Sequence, residues 1–329
     1  MQPTVSVVMP VYNVEDYVSE AINSVLNQTF RNFELIIVDD GSTDRSLEIC
    51  QSFDDDRIRI VSQRNRGLAG ARNTGIIHSC GRFVAFLDSD DRWLPEKLEL
   101  HVVHLSANLD VGVSYAGSRF IDGDGRPLRI TQIPKLRDIQ PETIFCRNPI
   151  GNGSAPVIRR ADLDRVAAPH PADCTRICYF DESLRQSEDI EMWLRLALVG
   201  ESKFEGIPGI LTEYRVVSGG LSAQVVRQYQ SWEAVVDRLR EMFPEFVAQH
   251  GRRAKAYQLR YLARRMVQLG DPGMAAALLR ESLQSSKRPF VEEPIKSSVT
   301  YAAAFFGTKI PPSTFAHIMR YTAGGRLVS

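Results

Sequence analysis

The sequence feature that most constrains the fold is an apolar run that ends in three acidic residues. Residues 83–87 are all apolar, and Asp88, Asp90 and Asp91 follow within four positions. A short run of this kind is typical of a strand buried on both faces of a parallel sheet. Open parallel sheets bind ligands just past the carboxyl ends of their strands. Three carboxylates at that place repel one another, and a divalent cation relieves the repulsion. The alternative is a solvated, Asp-rich turn before the next helix.

Apolar strands alternate with amphipathic helices over the first third of the chain. Strands are predicted at residues 5–9, 33–38, 58–61 and 83–87. This alternation predicts a doubly wound α/β sheet with right-handed crossovers. Asp39 and Asp40 end the second strand, so we expect them at the same sheet edge as the acidic residues 88–91. Two acidic strand ends at one edge predict a binding site there.

The pattern continues beyond the acidic run. We expect a helix from Pro95 to about Ala107, a fifth strand over residues 111–115 and a hairpin turn at residues 122–125. Residues 131–180 are rich in Pro, Gly and Asn. Apart from a strand at residues 155–158, this composition favours loops that border a cleft.

A helix that begins after Ser187 carries Glu188 and Asp189 in its first turn. Ser187 is its predicted cap. The predicted apolar face of this helix consists of Ile190, Trp193, Leu194 and Ala197. Acids in a first turn are favoured by the helix dipole alone. A carboxylate there can also act as a general base toward a substrate hydroxyl, and the residues alone leave both interpretations open.

The character of the chain changes near Ser222. Helical patterns cover residues 225–242, 254–269 and 273–285, with a break at residues 270–272. This part contains a group of basic residues, namely Arg252, Arg253, Lys255, Arg260, Arg264 and Arg265. They are either a solvated face or a contact with anionic headgroups or a phosphorylated acceptor. The apolar residues 301–306 are expected to pack on the helices.

Composition excludes several classes of protein. The 40 Lys and Arg residues balance 40 Asp and Glu residues, which gives no support for nucleic-acid binding. No apolar run reaches the roughly 18 residues of a membrane span, and we expect a cytosolic protein. Five scattered cysteines fit a reducing compartment. His170, Cys174 and Cys178 have helical spacing, but a fourth zinc ligand does not suggest itself, so chance is the better interpretation.

With these motifs in place, the chain resembles family 2 glycosyltransferases of the GT-A fold over about residues 4–222. The resemblance rests on several motifs in order, namely residues 5–13, 33–42, 67–75, the DxD-like segment 88–91, and Ser187-Glu188-Asp189 followed by residues 193–195. DxD alone is a weak signal, whereas the ordered set is specific. The resemblance implies a Rossmann-like, doubly wound mixed sheet with a C-terminal helical extension. The predicted domains are residues 1–222 and 223–329.

The resemblance also implies an activity, which is inverting transfer of a sugar from a nucleotide diphospho-sugar, with UDP as the expected carrier, to a hydroxyl acceptor. The acceptor would be a glycan or lipid-linked glycan, in bacterial surface polysaccharide or glycoconjugate synthesis. The enzyme would be cytoplasmic, at the inner face of the membrane if its basic C-terminal helices contact lipid. The alternative is a binding module for nucleotide-sugars without turnover.

The same resemblance implies roles for single residues. Asp189 is the expected general base, with Glu188 beside it. Asp90 and Asp91 are expected to hold Mn²⁺ or Mg²⁺. The expected donor-nucleotide site consists of Pro10, Val11, Tyr12, Asp40, Arg72, Asp88 and Asp90. The chain departs from the family at Val217, where a His is common, which puts a third protein contact to the metal and diphosphate in doubt.

Overall fold

The computed structural model describes residues 2–216, 225–311 and 314–315, and the chain divides into two compact units. The first unit comprises Met1–Pro141 and Pro149–Val216. The second comprises Glu142–Asn148 and Val217–Ser329, so a short segment from the middle of the chain belongs to it. The expected domain boundary at residue 222 and the departure at Val217 lie outside the described residues, and both stay predictions.

Strands and helices alternate along the first unit. The strands are β1 (Val5–Val11), β2 (Phe33–Asp39), β3 (Ile58–Ser62), β4 (Phe83–Phe86), β5 (Arg92–Trp93), β6 (Val111–Ile121), β7 (Pro127–Gln132), β8 (Val157–Arg159), β9 (Ala168–His170), β10 (Asp173–Cys178) and β11 (Lys203–Arg215). The helices of the whole chain are α1 (Val18–Leu26), α2 (Ser46–Gln51), α3 (Gly67–His78), α4 (Lys97–Ala107), α5 (Pro141–Arg147), α6 (Arg160–Arg165), α7 (Glu188–Leu198), α8 (Val225–Met242), α9 (Pro244–Gln268), α10 (Pro272–Ser285), α11 (Arg288–Glu292) and α12 (Pro294–Gly307).

The main sheet of the first unit is mixed. Strands β3, β2, β1 and β4 lie side by side in that order and are all parallel. Strand β8 pairs antiparallel with β4 and with β6, and β11 runs parallel to β6. Strand β5 pairs antiparallel with β11, and β7 pairs antiparallel with β6. Strands β9 and β10 form a separate antiparallel pair. The predicted doubly wound α/β sheet is confirmed, and its parallel half carries the acidic strand ends.

The centre of the parallel half is apolar on both faces. Every residue of β1 and β4 is buried. Helix α1 packs on one face of the sheet, and α3 lies close on the other. A Cβ at Gly75 of α3 would stand 2.2 Å from a methyl carbon of Val8, so this helix can approach β1 closely because residue 75 is a glycine. The close approach fixes the start of α3 beside the carboxyl ends of β1, β2 and β4.

The second unit is helical. Its core includes Ala263, Val267, Ala275, Leu279 and Ala304 from α9, α10 and α12. Helix α5 joins this unit through Phe145, whose ring stacks 6.2 Å from that of Trp232 and lies 5.5 Å from that of Phe246. No helix in the described ranges is long and apolar enough to cross a membrane.

Several expectations about local structure are wrong. The strand expected at residues 155–158 is β8, but the rest of residues 131–180 is not mainly loops, because it contains α5, α6, β9 and β10. Ser187 does not cap α7 with its side chain, since its φ of 63° is left-handed and an N-cap needs an extended residue. Two residues expected on the apolar face of α7, Ile190 and Ala197, are only half-buried, while Met192 and Leu196 are buried.

The interpretations of the C-terminal helices also change. The basic residues of α9 are not simply solvated, because Arg253 pairs with Glu292, Lys255 with Glu281 and Arg260 with Glu293. The apolar residues 301–306 do not pack as a patch, because Ala304 is buried whereas Tyr301, Phe305 and Phe306 are exposed.

Candidate active site

Arg72 of α3 joins the acidic edge of the sheet to the start of α7. Its Nη2 donates to Asp88 Oδ1 at 2.7 Å, and its Nη1 donates to Glu188 Oε1 at 2.7 Å. The Arg72 side chain is 2% exposed and lies over the ring of Phe180. The structure therefore brings the acidic residues after β4 and the acidic pair that opens α7 into one site.

The loop after β4 is held by two residues that follow much later in the chain. Ser154 Oγ accepts a hydrogen bond from the Asp88 N–H at 3.0 Å and donates to Asp91 Oδ2 at 2.6 Å. The N–H of Arg215 donates to Asp91 Oδ1 at 2.8 Å, and its Nε donates to the carbonyl oxygen of Asp90 at 2.7 Å. Asp91 is 1% exposed, so its carboxylate fixes the loop from inside.

The carboxylates of this loop are chemically suited to a divalent cation. Burial and the neighbouring Asp88 raise the pKa of Asp90 to about 6. Burial, Asp90 and Asp88 together raise the pKa of Asp91 well above its ordinary value. The Asp90 side chain is half-buried, and the carbonyl oxygen of this residue accepts the hydrogen bond from Arg215. Crowded oxygen ligands of this kind fit Mg²⁺ or Mn²⁺. The assignment of Asp90 and Asp91 as metal ligands stays a prediction.

Asp40 lies at the start of α3. Its carboxylate accepts hydrogen bonds from Gln63 Nε2 at 2.6 Å and from the N–H groups of Arg66 at 2.9 Å and Gly67 at 2.8 Å. Burial raises the pKa of Asp40 above its ordinary value. These three donors fix the carboxylate in place beside the helix N-terminus. Its expected contact with a nucleobase stays a prediction.

The other expected donor-site residues lie at the end of β1. Pro10 and Val11 are buried within the strand, and the Val11 carbonyl accepts from the N–H of Asp40 at 2.9 Å. Tyr12 follows the strand and is 49% exposed. Of the three, therefore, Tyr12 has the side chain that is free to stack on a ligand.

Asp189 has the environment that a general base near neutral pH requires. It is half-buried, and its Oδ1 accepts the N–H of Ile190 at 2.8 Å. Burial and the adjacent Glu188 raise the pKa of Asp189 to about 7, although Arg72 acts against the rise. A base works best when its pKa lies near the pH of the reaction.

Asn73 and Glu182 hold α3 against the segment before α7. Asn73 Oδ1 accepts the N–H groups of Tyr179 and Phe180, and its Nδ2 donates to the Phe180 carbonyl and to Glu182. Glu182 also pairs with Arg66 and Arg176. The sequence motif at residues 67–75 contains Asn73, but its distant partners are not visible in the sequence.

The structure groups a different set of possible zinc ligands from the one in the sequence, because Glu182 takes the place of Cys174. Ligand atoms of His170, Cys178 and Glu182 lie within 4.8 Å of one another, whereas Cys174 is exposed and outside this group. The Glu182 carboxylate already accepts hydrogen bonds from two arginines and from Asn73. A cation would have to displace these donors.

Comparison with known proteins identifies the family. Residues 6–166 match the model of glycosyl transferase family 2. TuaG of Bacillus subtilis, a glycosyltransferase assigned to teichuronic acid biosynthesis, is 32% identical over 226 residues, which are 68% of this chain and 82% of TuaG. The chain belongs to glycosyltransferase family 2. A second relative is the UDP-Glc:alpha-D-GlcNAc-diphosphoundecaprenol beta-1,3-glucosyltransferase WfgD of Escherichia coli, which is 30% identical over 241 residues, or 71% of this chain and 85% of WfgD.

A solved structure shows the same fold. The mannosyltransferase PcManGT of Pyrobaculum calidifontis, solved with GDP-Man and Mn²⁺, superposes with a TM-score of 0.56 at 18% identity, covering 99% of this chain and 86% of that one. The fold of this family 2 member is GT-A, as the sequence motifs predict. Because the family match and the named relatives are glycosyltransferases, the protein is a glycosyltransferase.

Proposed function

We propose that this enzyme transfers a sugar, with inversion, from a UDP-sugar to a hydroxyl of a lipid-linked glycan during synthesis of a bacterial surface polysaccharide or glycoconjugate. The observation that carries the proposal is the buried Arg72, which ties Asp88 to Glu188 and so joins the acidic sheet edge to the carboxylate pair of α7. The names of TuaG and WfgD support the glycan class, and WfgD supports both UDP and a lipid diphosphate acceptor.

The donor nucleotide would lie along the carboxyl ends of β1, β2 and β4. Asp40 would accept a hydrogen bond from the base, and Tyr12 would stack on it. Pro10 and Val11 would form the floor. The half-buried Asp88 and Asp90 would face the ribose and the diphosphate.

A divalent cation, Mn²⁺ or Mg²⁺, would be held by Asp90 and Asp91. When bound, it would neutralise the charge that develops on the leaving diphosphate. The Mn²⁺ of PcManGT supports a cation in this fold. Besides holding the cation, Asp91 would fix the loop through Ser154 and Arg215.

Asp189 would act as the general base. Its carboxylate would take the proton of the acceptor hydroxyl while that oxygen forms a bond to the anomeric carbon of the donor sugar. The bond from that carbon to the diphosphate oxygen would break in the same step, and the nucleoside diphosphate would leave with the electron pair. A single displacement inverts the anomeric centre and needs no covalent intermediate. Glu188, held by Arg72, would position the base and contact the acceptor.

This reaction would take place in the cytoplasm, at the inner face of the membrane, because a lipid-linked acceptor is held there. The test is a transfer assay with UDP-glucose, UDP-N-acetylglucosamine and GDP-mannose, with Mn²⁺ and a synthetic N-acetylglucosamine diphospholipid acceptor. We expect transfer from a UDP-sugar and a product whose anomeric proton coupling shows inversion. A retained configuration, or transfer from the GDP-sugar alone, would overturn the proposal.

A further inference from the structure

Helix α12 carries an exposed apolar stripe along one side. Ile295, Val299, Ala302 and Phe306 follow one another at alternating intervals of four and three residues, which places them on one face of a helix. Ile295 is 78% exposed, Val299 63% and Phe306 66%. The residues on the opposite side are buried, and they are Ser297, Thr300, Ala304 and Gly307. The helix is therefore packed on one side and presents apolar side chains on the other.

Basic residues flank this stripe. Lys287 and Arg288 precede it, Lys296 lies beside it, and Lys309 follows it, close to the ring of Phe305. The sequence contains no Asp or Glu after Glu293. The acids nearest the stripe are Glu292 and Glu293, and cations outnumber them. Five basic side chains pair with these two carboxylates, namely Arg147, Arg253, Arg260, Arg288 and Lys296. The surface around the stripe is therefore cationic.

We propose that α12 lies flat in the interface of an anionic phospholipid bilayer, with the stripe from Ile295 to Phe306 directed into the acyl region. An apolar face with aromatic residues, flanked by lysine and arginine, is the signature of a helix that lies in a membrane surface. Negative headgroups attract the flanking cations. The inference rests on the proposed function only in that a lipid-linked acceptor brings the enzyme to a membrane. It assigns the contact to α12, because the exposed apolar stripe lies on this helix.

Charge favours a lipid surface over a second copy of the chain. Two copies that met through the stripe would bring the exposed lysines near its two ends, Lys287 and Lys309, close to those of the other copy, and like charges at short distance repel. An anionic bilayer instead complements them. Cover by the chain's own residues 316–329 is the remaining alternative, and the experiment below separates it.

The experiment is co-sedimentation of the full chain with vesicles. One set contains phosphatidylcholine alone, and the other contains equal amounts of phosphatidylcholine and phosphatidylglycerol. The stripe variant Ile295→Gln/Val299→Gln/Phe306→Gln should bind the anionic vesicles about a hundredfold more weakly, because it loses three inserted apolar side chains. Lys287→Gln and Lys309→Gln should each weaken binding about fivefold, and salt should reduce that effect. Val226→Gln, a change at an equally exposed valine on α8, is the matched control and should bind normally.

Three results would overturn the inference. The first is equal binding by the parent chain and the stripe variant. The second is a concentration-dependent dimer that the stripe variant abolishes. The third is binding by a chain ending at residue 311 when the full chain does not bind, which would mean that the C-terminal residues cover the stripe. Transfer to a water-soluble acceptor is measured in parallel, so that loss of docking and failure of the proposed reaction give different patterns.

Discussion

Arg72 provides the sharpest test of the site, and the perturbation is Arg72→Met. The guanidinium makes two ion pairs at 2.7 Å, with Asp88 and with Glu188, whose side chains are 23% and 7% exposed. Removing one partner of a buried pair costs about 3–5 kcal/mol, because charges remain buried without compensation. Solvent reaches Asp88, so we take the lower end and expect a loss of about 3 kcal/mol in the free energy of unfolding. That is a large part of the stability of an ordinary domain.

The loss should depend on pH, with a sign that follows from Asp189. The pKa of Asp189 is already raised to about 7 while Arg72 lowers it, so the variant raises it further. An acid whose pKa is raised in the folded state contributes stability below its unfolded pKa. That contribution disappears as the pH rises through the folded pKa. The deficit of the variant should therefore be largest above pH 7 and should shrink toward pH 5.

The assay is urea unfolding followed by fluorescence at several pH values, with a chelator and without nucleotide, so that no ligand contributes. Arg45→Met is the matched control, because Arg45 pairs with Glu48 at 3.2 Å and both side chains are about 70% exposed. The control should leave the unfolding midpoint unchanged. A small, pH-independent loss for Arg72→Met would refute the reasoning, because it would mean that the carboxylates are not crowded around the guanidinium.

Three further outcomes are expected. Asp189→Asn should lower the transfer rate by about two to four decades and leave donor affinity unchanged. The acidic limb of the kcat/KM profile near pH 7 should disappear. A variant that keeps more than a tenth of the parent rate would contradict the assignment of the base. Asp90→Asn should remove the dependence of UDP-sugar affinity on Mn²⁺ in calorimetry, whereas an unchanged response to a chelator would argue against this ligand. Lys97→Met should raise the free energy of unfolding by about 2 kcal/mol at pH 6, and by less at pH 9, in urea unfolding. Burial lowers the pKa of Lys97 to about 7, and a lysine with a lowered pKa costs stability as the pH falls. An equal gain at both pH values would contradict this.

The parallel half of the sheet could be predicted from the sequence because its strands are apolar on both faces and end in acids. The family resemblance placed residues 72, 88 and 188 in one site, but the ion pairs through which Arg72 joins the two acidic segments were not predicted, since nothing local links residue 72 to residue 188. Ser154 and Arg215 could not be predicted as supports of the acidic loop. They bond Asp91 from 63 and 124 residues away, and a serine or an arginine has no local signal for such a contact.

Two local expectations, on Ser187 and on residues 301–306, fail for the same physical reason. The type of a residue does not determine which contacts its side chain makes. Ser187 has the residue type of a cap, but the chain enters α7 in a left-handed conformation, and the Ser187 side chain makes no capping hydrogen bond. The apolar run 301–306 was expected to be buried, but an apolar pattern does not determine which residues find partners. In the structure, one side of α12 meets the helical core and the other does not.

Helix α5 has a consequence for how the chain matures on the ribosome. Its aromatic residue Phe145 packs with Trp232 and Phe246, which are synthesised long after it. Until those residues leave the ribosome, the apolar side of α5 is exposed to solvent or bound by chaperones, although the strands before it can already pair. A chain that ends after β11 would leave the apolar side of α5 exposed permanently. We therefore expect that removing the C-terminal helices yields a protein that aggregates, and not a smaller active enzyme.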